Sequence, residues 1–86
     1  MAYRVFWAPV AELQLKRIVG TVPDTKVVSA AAREMNHRLA TDPYQVSESR
    51  DYPLRICIQL PLASMIEIMN DVRTVIVHNL WWAARN

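Results

Sequence analysis

Residues 3–13 read YRVFWAPVAEL, and this stretch passes from a strand pattern into a helix pattern. Residues 3–7 are mostly aromatic or β-branched, which favours an extended strand. Pro9 then stands where a helix can begin, because the N–H that proline lacks would have no partner in the first turn. The stretch therefore predicts a strand followed directly by a helix from Pro9 to Val19, which Gly20 is expected to end.

A second helix is predicted from Asp24 or Thr25, because either side chain can accept a hydrogen bond from the free N–H groups of a first turn. Pro43 disfavours a helical conformation at the residue before it, so this helix is expected to end by Asp42. Four apolar residues recur at helical spacing and form one stripe: Val28, Ala31, Met35 and Leu39. Two helices with so short a connection are expected to pack as an antiparallel hairpin.

The last third of the sequence has the pattern of strands. Residues 44–52 are polar and lack periodicity, which indicates a loop or a ragged edge strand. Three strands are predicted beyond it, over residues 54–60, 65–69 and 74–81. Pro61 interrupts the pattern after the first of these strands, and residues 70–73 form a turn. Short strands joined by tight turns predict an antiparallel meander.

Together these elements predict a single α+β domain over residues 1–86. The order is β-α-α-β-β-β, with an antiparallel sheet packed against the two-helix hairpin. Apolar residues make up 52% of the 86 residues, which argues against disorder. Two further expectations concern membranes: no apolar run reaches the roughly 18 residues of a span, and no signal-peptide pattern opens the sequence.

Charge and cysteine usage narrow the function classes further. The net charge is +2, and eight of the ten basic residues are arginine, which suits phosphate and carboxylate ligands. This permits a nucleic-acid partner without requiring one. The lone Cys57 excludes an internal disulfide and indicates a reducing, cytoplasmic location. No metal-ligand box or nucleotide-binding loop is present, so no cofactor is expected.

Several side chains are candidates for chemistry or binding on residue type alone. His78 is either a base or a half-buried histidine satisfied by a backbone carbonyl. Trp81 and Trp82 are adjacent on a strand and must face opposite sides, so one can anchor a partner while the other packs in the core. Met65 and Met69 share a face with Glu67 and suit either a peptide groove or core packing.

The order and spacing of these pieces resemble the RelE/ParE toxin superfamily, which includes plasmid stabilisation proteins. Four features carry the resemblance. The first is the opening Tyr3-Arg4-Val5, followed by Pro9 and Ala11-Glu12-Leu13, and the second is the helix exit from Leu39 to Pro43, with Arg50 before the next strand. The third is the segment Pro61-Leu62-Ala63 with the later Arg73, and the fourth is the ending Trp81 to Asn86. The resemblance covers nearly the whole chain. It implies the toxin of a bacterial type II toxin–antitoxin pair, which an antitoxin neutralises by wrapping around it.

The resemblance implies two mechanisms, cleavage of mRNA on the ribosome (RelE) or inhibition of DNA gyrase (ParE). For a nuclease it implies catalytic roles for Arg55 and Arg85, with His78 as a further candidate by type. The family's strand arginine and its C-terminal tyrosine have no counterparts, and Glu67 takes the place of the strand aromatic. An incomplete catalytic set favours inhibition by binding, and we expect ParE-like action on gyrase.

Five residues are predicted to bind the antitoxin or the target: Trp81, Trp82, Arg50, Met65 and Met69. Three alternatives stay open at the level of sequence. The protein is a ribosome-dependent endoribonuclease, a degenerate paralogue that folds without harming the cell, or a small adaptor that adds a peptide strand to a sheet edge. No membrane partner is expected.

Overall fold

The predicted order of elements is present, with one short strand added. The structure, a computed structural model, describes residues 2–83. Its elements are β1 (Arg4–Trp7), α1 (Pro9–Thr21), α2 (Thr25–Thr41), β2 (Ser47–Ser49), β3 (Leu54–Gln59), β4 (Leu62–Met69) and β5 (Thr74–Trp82). Strand β2 lies within residues 44–52, for which the sequence indicated either a loop or a ragged edge strand. A 3-10 turn (Asn70–Val72) joins β4 to β5, as predicted.

The five strands form one mixed sheet in the order β1-β5-β4-β3-β2. Strands β2 to β5 pair antiparallel, which confirms the meander. Strand β1 pairs with β5 in parallel, so the expectation of a wholly antiparallel sheet is wrong for this strand. Parallel neighbours need a crossover connection, and the helices and the meander between β1 and β5 provide a long one.

The helices pack on one face of the sheet and form a single core with it. The predicted stripe of α2 is buried throughout, at Val28, Ala31, Met35 and Leu39. Sheet residues complete the same cluster: Cys57, Leu62, Ile66, Val75, Val77 and Leu80. Burial raises the pKa of the Cys57 thiol, although the positive charge of Arg38 opposes this shift. This cysteine is therefore a packed apolar side chain within the core.

The helix ends follow local chemistry, with one correction. The carboxylate of Asp24 accepts a hydrogen bond of 3.2 Å from the N–H of Lys26, which confirms the predicted cap of α2. Gly20, however, lies inside α1 and has no positive φ. The helix ends after Thr21 because Pro23 forces the preceding Val22 into an extended conformation. The prediction that Gly20 ends the helix is therefore wrong.

A β-bulge interrupts the pairing of β4 with β5. Ile66 pairs with Val77 and Met65 pairs with Asn79, which leaves His78 as the extra residue. The bulge lets Val77 and Leu80 both face the helices although they are three residues apart. Every side chain of β5 beyond the bulge therefore faces the side opposite to the one that strict alternation would give.

Candidate protein-binding site

The two faces of the sheet differ in what covers them. Cross-strand neighbours share a face, and the row Cys57, Ser64 and Leu80 is buried beneath the helices. The next row, Ile56, Met65 and Asn79, therefore lies on the opposite face, which we call the open face. Among residues 2–83, no helix covers the open face. Its large apolar side chains include Phe6 and Ile58, which are 55% and 54% exposed.

Arg55, a candidate catalytic residue, is held by the first residue of β2 and by the segment just before it. Its Nε donates to Ser47 Oγ at 2.8 Å, and one terminal nitrogen donates to Ser47 O at 2.9 Å. The same nitrogen donates to Tyr44 O at 3.3 Å, and the guanidinium stacks over the Tyr44 ring. Because Arg55 pairs with the buried Ile66, its side chain leaves the sheet on the helix-covered face. Arg55 therefore fixes the edge of the sheet.

His78, the second catalytic candidate, points from the bulge onto the open face. Its Nε2 lies 3.0 Å from Glu67 Oε1, and both side chains are about one-third exposed, at 36% and 29%. The partner is thus a carboxylate, and not the backbone carbonyl that the sequence suggested. The two candidates Arg55 and His78 lie on opposite faces of the sheet. The third, Arg85, lies outside the described residues.

The residues predicted to bind a partner separate into several surfaces. Met65 and Met69 share the open face with Glu67, as predicted, and all three are partly buried. Trp81 pairs with Ala63 and is 38% exposed on this same face. The adjacent Trp82 pairs with the buried Leu62 and is 43% exposed on the other side. Met65, Met69 and Trp81 therefore share the open face, with Trp81 and Met69 towards opposite ends of β4.

Arg50 lies apart from the open-face cluster, in the turn that follows β2. Among residues 2–83 it forms one ion pair, with Glu48 at 3.3 Å between nitrogen and oxygen, and the same nitrogen donates to Ser49 O at 3.3 Å. Both side chains are well exposed, at 48% and 79%. Such surface pairs contribute little to stability, so Arg50 can exchange this carboxylate for another acceptor.

A groove that the sequence analysis missed runs between the two helices and β1. Its volume is about 810 Å³, and it is lined by residues of all three elements: Val5, Phe6, Trp7, Glu12, Leu15, Lys16, Ala32, Arg33, Asn36, His37 and Ala40. The floor is largely apolar, whereas Lys16 and Arg33 make the rim basic, with Glu12 as one acid. Sequence periodicity could not reveal this groove, since it arises from the packing of α1 and α2 over β1.

Strand β1 also presents unpaired backbone groups at the edge of the sheet. The N–H of Arg4 donates to Arg73 O at 2.8 Å and that of Ala8 to Val77 O at 3.0 Å. Backbone groups alternate in direction along a strand, so those of Val5 and Trp7 point away from β5. Within residues 2–83 they have no backbone partner. An exposed strand edge of this kind can pair with an added strand.

Two further properties of residues 2–83 bear on other classes of function. No helix of residues 2–83 is long and apolar enough to cross a membrane. In the same part of the chain, no group of three or more His, Cys, Asp or Glu side chains is placed to hold a metal ion.

The fold is shared with known toxin–antitoxin structures. A chain of the toxin–antitoxin complex RelBE2 from Mycobacterium tuberculosis matches with a TM-score of 0.78 and 16% identity, over 95% of this chain and 99% of that one. A chain of the chromosomal ParDE TA system from P. aeruginosa matches with a TM-score of 0.66 and 12% identity, over 95% and 97%. No family model and no curated protein sequence matches. At these identities the likeness is one of structure, and the chain shares its fold with a chain of each of these two complexes.

Proposed function

We propose that the protein is the toxin of a cytoplasmic toxin–antitoxin pair and that it inhibits growth by binding its target, in the manner of ParE on DNA gyrase. The fold, shared with chains of two toxin–antitoxin complexes, supports the first part. One observation carries the second part. The described catalytic candidates Arg55 and His78 are each engaged by the protein itself, and they lie on opposite faces of the sheet.

Metal-free cleavage of RNA requires groups that converge on one phosphate. One group deprotonates the 2′-hydroxyl, another stabilises the charged phosphate, and a third protonates the leaving oxygen. On the open face, His78 is paired with Glu67, whose negative charge disfavours a phosphate there. Arg55 meanwhile donates to the backbone oxygens of Tyr44 and Ser47, at the start of β2. This geometry favours binding over catalysis.

The open face is the surface that we assign to the target. Phe6, Met65, Ile58 and Trp81 give it an apolar character, and Trp is among the residues that dominate interface energies. The central His78–Glu67 pair adds hydrogen-bonding groups within that apolar surface. A protein target therefore suits this face better than an RNA backbone does.

The groove and the free edge of β1 are the surface that we assign to the antitoxin. An extended segment can pair with the outward N–H and C=O groups of Val5 and Trp7 and place apolar side chains on the groove floor. The basic rim at Lys16 and Arg33 favours acidic residues on the same segment. The antitoxin is thus expected to be acidic, with an extended stretch.

Growth after tightly controlled expression tests the proposed toxicity and its target. Uptake of labelled thymidine and methionine is followed in parallel, with purified protein added to a gyrase supercoiling assay. We expect early loss of thymidine uptake and of supercoiling, and Trp81→Ala to weaken both at least tenfold. Lys26→Gln, a substitution at an exposed position on α2 away from both surfaces, is the control. Normal growth with soluble protein would contradict toxicity and favour the degenerate or adaptor alternatives.

The antitoxin surface is tested with a substitution that removes one backbone donor. Val5→Pro deletes an outward N–H, and proline is tolerated on edge strands where that N–H faces away from the sheet. Val5→Thr keeps the N–H and the β-branched shape and serves as the matched control. The binding partner is the product of a reading frame adjacent to the gene. We expect Val5→Pro to weaken binding at least tenfold and Val5→Thr to retain it; equal binding would contradict strand pairing.

A second candidate function is ribosome-dependent cleavage of mRNA. The higher TM-score with the RelBE2 chain, 0.78 against 0.66, favours it. This function would use Arg55, Arg85 and His78, brought together by the ribosome. Early loss of methionine uptake with intact supercoiling, abolished by Arg85→Ala, would establish it and overturn the proposed gyrase target.

A further inference from the structure

A second, smaller cavity lies where α2 approaches the β2 edge of the sheet. Its volume is about 190 Å³, and two arginines line it, Arg38 from α2 and Arg50 from the turn after β2. Glu48 also lines it, and Ile56 and Ile58 provide an apolar wall. This cavity is separate from the groove beside β1, and its apolar wall, Ile56 and Ile58, belongs to the β3 side of the open face.

Arg38 is the first reason to assign an anion to this cavity. It is half-buried in the last turn of α2, and one terminal nitrogen donates to the neutral Gln59 Oε1 at 2.5 Å. Within residues 2–83, no carboxylate lies within ion-pair distance of it. A charge partly removed from water is costly unless an opposite charge compensates for it. An anion in the cavity would provide that compensation.

Arg50 is the second reason, because its present partner is easily replaced. Its ion pair with Glu48 is a single contact of 3.3 Å between well-exposed side chains. An oxyanion with several oxygens can bind the planar guanidinium through two parallel hydrogen bonds, which is a stronger arrangement. Glu48 then becomes a competitor for Arg50, and its removal should favour the anion.

The volume of the cavity selects the size of the ligand. About 190 Å³ exceeds several times the roughly 30 Å³ that one water molecule occupies in the liquid. It falls below the roughly 300–1,000 Å³ of pockets that enclose a whole small-molecule ligand. A tetrahedral oxyanion fits this range, with the remainder of any larger molecule outside.

We propose that this cavity binds a phosphate group, either as free phosphate or as the end of a phosphoester, through Arg38 and Arg50. Phosphate binding does not require the proposed toxin function, although Ile58 lines this cavity and also belongs to the surface assigned to the target. Bound phosphate would tie the end of α2 to the turn after β2 and would stabilise the folded state in proportion to its occupancy.

The test is calorimetric titration with inorganic phosphate, supported by thermal unfolding in phosphate and in chloride at equal ionic strength. We expect Arg50→Gln and Arg38→Gln each to weaken binding at least tenfold and Glu48→Gln to strengthen it severalfold. Arg17→Gln is the matched control, because it removes the same charge from an exposed position on α1. Arg50→Gln is decisive if Arg38→Gln fails to fold, because Arg50 is well exposed.

Two outcomes would overturn the proposal. One is equal phosphate affinity in Arg50→Gln and Arg17→Gln, which would indicate attraction by net charge alone. The other is the absence of heat and of any phosphate-specific rise in the unfolding temperature of the wild-type protein. Methyl phosphate distinguishes the sources within the proposal: binding as tight as that of phosphate assigns a phosphoester, and weaker binding assigns the free anion.

Discussion

The two edges of the sheet are built in opposite ways. At one edge, β1 presents unpaired backbone groups beside an apolar groove of about 810 Å³. At the other, β2 is three residues long and polar, and the side chain of Arg55 donates to the backbone of its first residue, Ser47. Short strands and charged residues protect an edge from pairing with another chain. The protein thus closes one edge and leaves the other able to accept a partner.

The last turn of helix α2 is hydrogen-bonded to the chain near both edges of the sheet. Near its C-terminal end, Ala40 O accepts the N–H of Tyr3 at 2.7 Å, just before β1. Two residues earlier, Arg38 donates to Gln59 at the end of β3. Leu39, between them, is fully buried in the core. The positions of both edges therefore depend on how firmly this last turn of α2 is held in the core.

The largest expected effect is that of Leu39→Ala, which loosens both edges at once. Removing a buried leucine side chain leaves a cavity and typically costs about 2–5 kcal/mol. Urea unfolding measures the loss, and amide exchange should accelerate at both 3–8 and 44–49. The control on the same helix is Val27→Ala, at a residue that is 47% exposed, which should cost less than about 0.5 kcal/mol. Equal costs for both variants would contradict the role of α2.

The sequence predicted the parts of this arrangement that depend on periodicity. The stripe that ends at Leu39 repeats at helical spacing, and it is buried as the pattern requires. The strands from Leu54 onward alternate with a period of two, and they form the expected meander. In both cases, the spacing of apolar residues along the chain is enough to predict which side chains face the core.

What the sequence could not predict depends on contacts between distant residues. The bulge at His78 is a mismatch between β4 and β5, and it reverses the faces of Trp81 and Trp82 relative to strict alternation. The resemblance implied a catalytic role for Arg55, but its side chain is bonded to partners up to eleven residues away, in a segment without periodicity. The groove beside β1 combines residues from three elements. Pairing, and not local propensity, determines each of these features.

The next largest effect is expected at the closed edge, from Arg55→Met. The substitution keeps much of the side-chain length but removes three hydrogen bonds to Ser47 and Tyr44. Hydrogen bonds from charged donors contribute about 1.5–3 kcal/mol, so a loss of this size is expected in urea unfolding. Amide exchange should accelerate over 44–49 and stay unchanged over 4–8. A uniform acceleration would show that Arg55 supports the whole fold and not one edge.

A smaller effect is expected at the open edge, from Trp7→Phe. The indole Nε1 donates to Asn36 Oδ1 at 2.8 Å and links β1 to α2 at the groove. Phenylalanine keeps the aromatic packing and removes the donor, which should cost about 0.5–1.5 kcal/mol. A double-mutant cycle with Asn36→Ala isolates the pair, since Asn36→Ala alone removes the same bond. Additive effects in the double mutant would contradict the link between the two elements.

The smallest effect is expected from Glu48→Gln, beside the closed edge. The Glu48 side chain is 79% exposed and makes one ion pair, so the change in unfolding free energy should stay below about 0.5 kcal/mol. Added salt should shrink even that difference, because exposed charges are screened. A near-zero effect would assign the rigidity of this edge to Arg55 and not to its exposed charges. It also means that any tighter binding of phosphate by this variant comes from the lost competitor for Arg50, and not from a change in the stability of the edge.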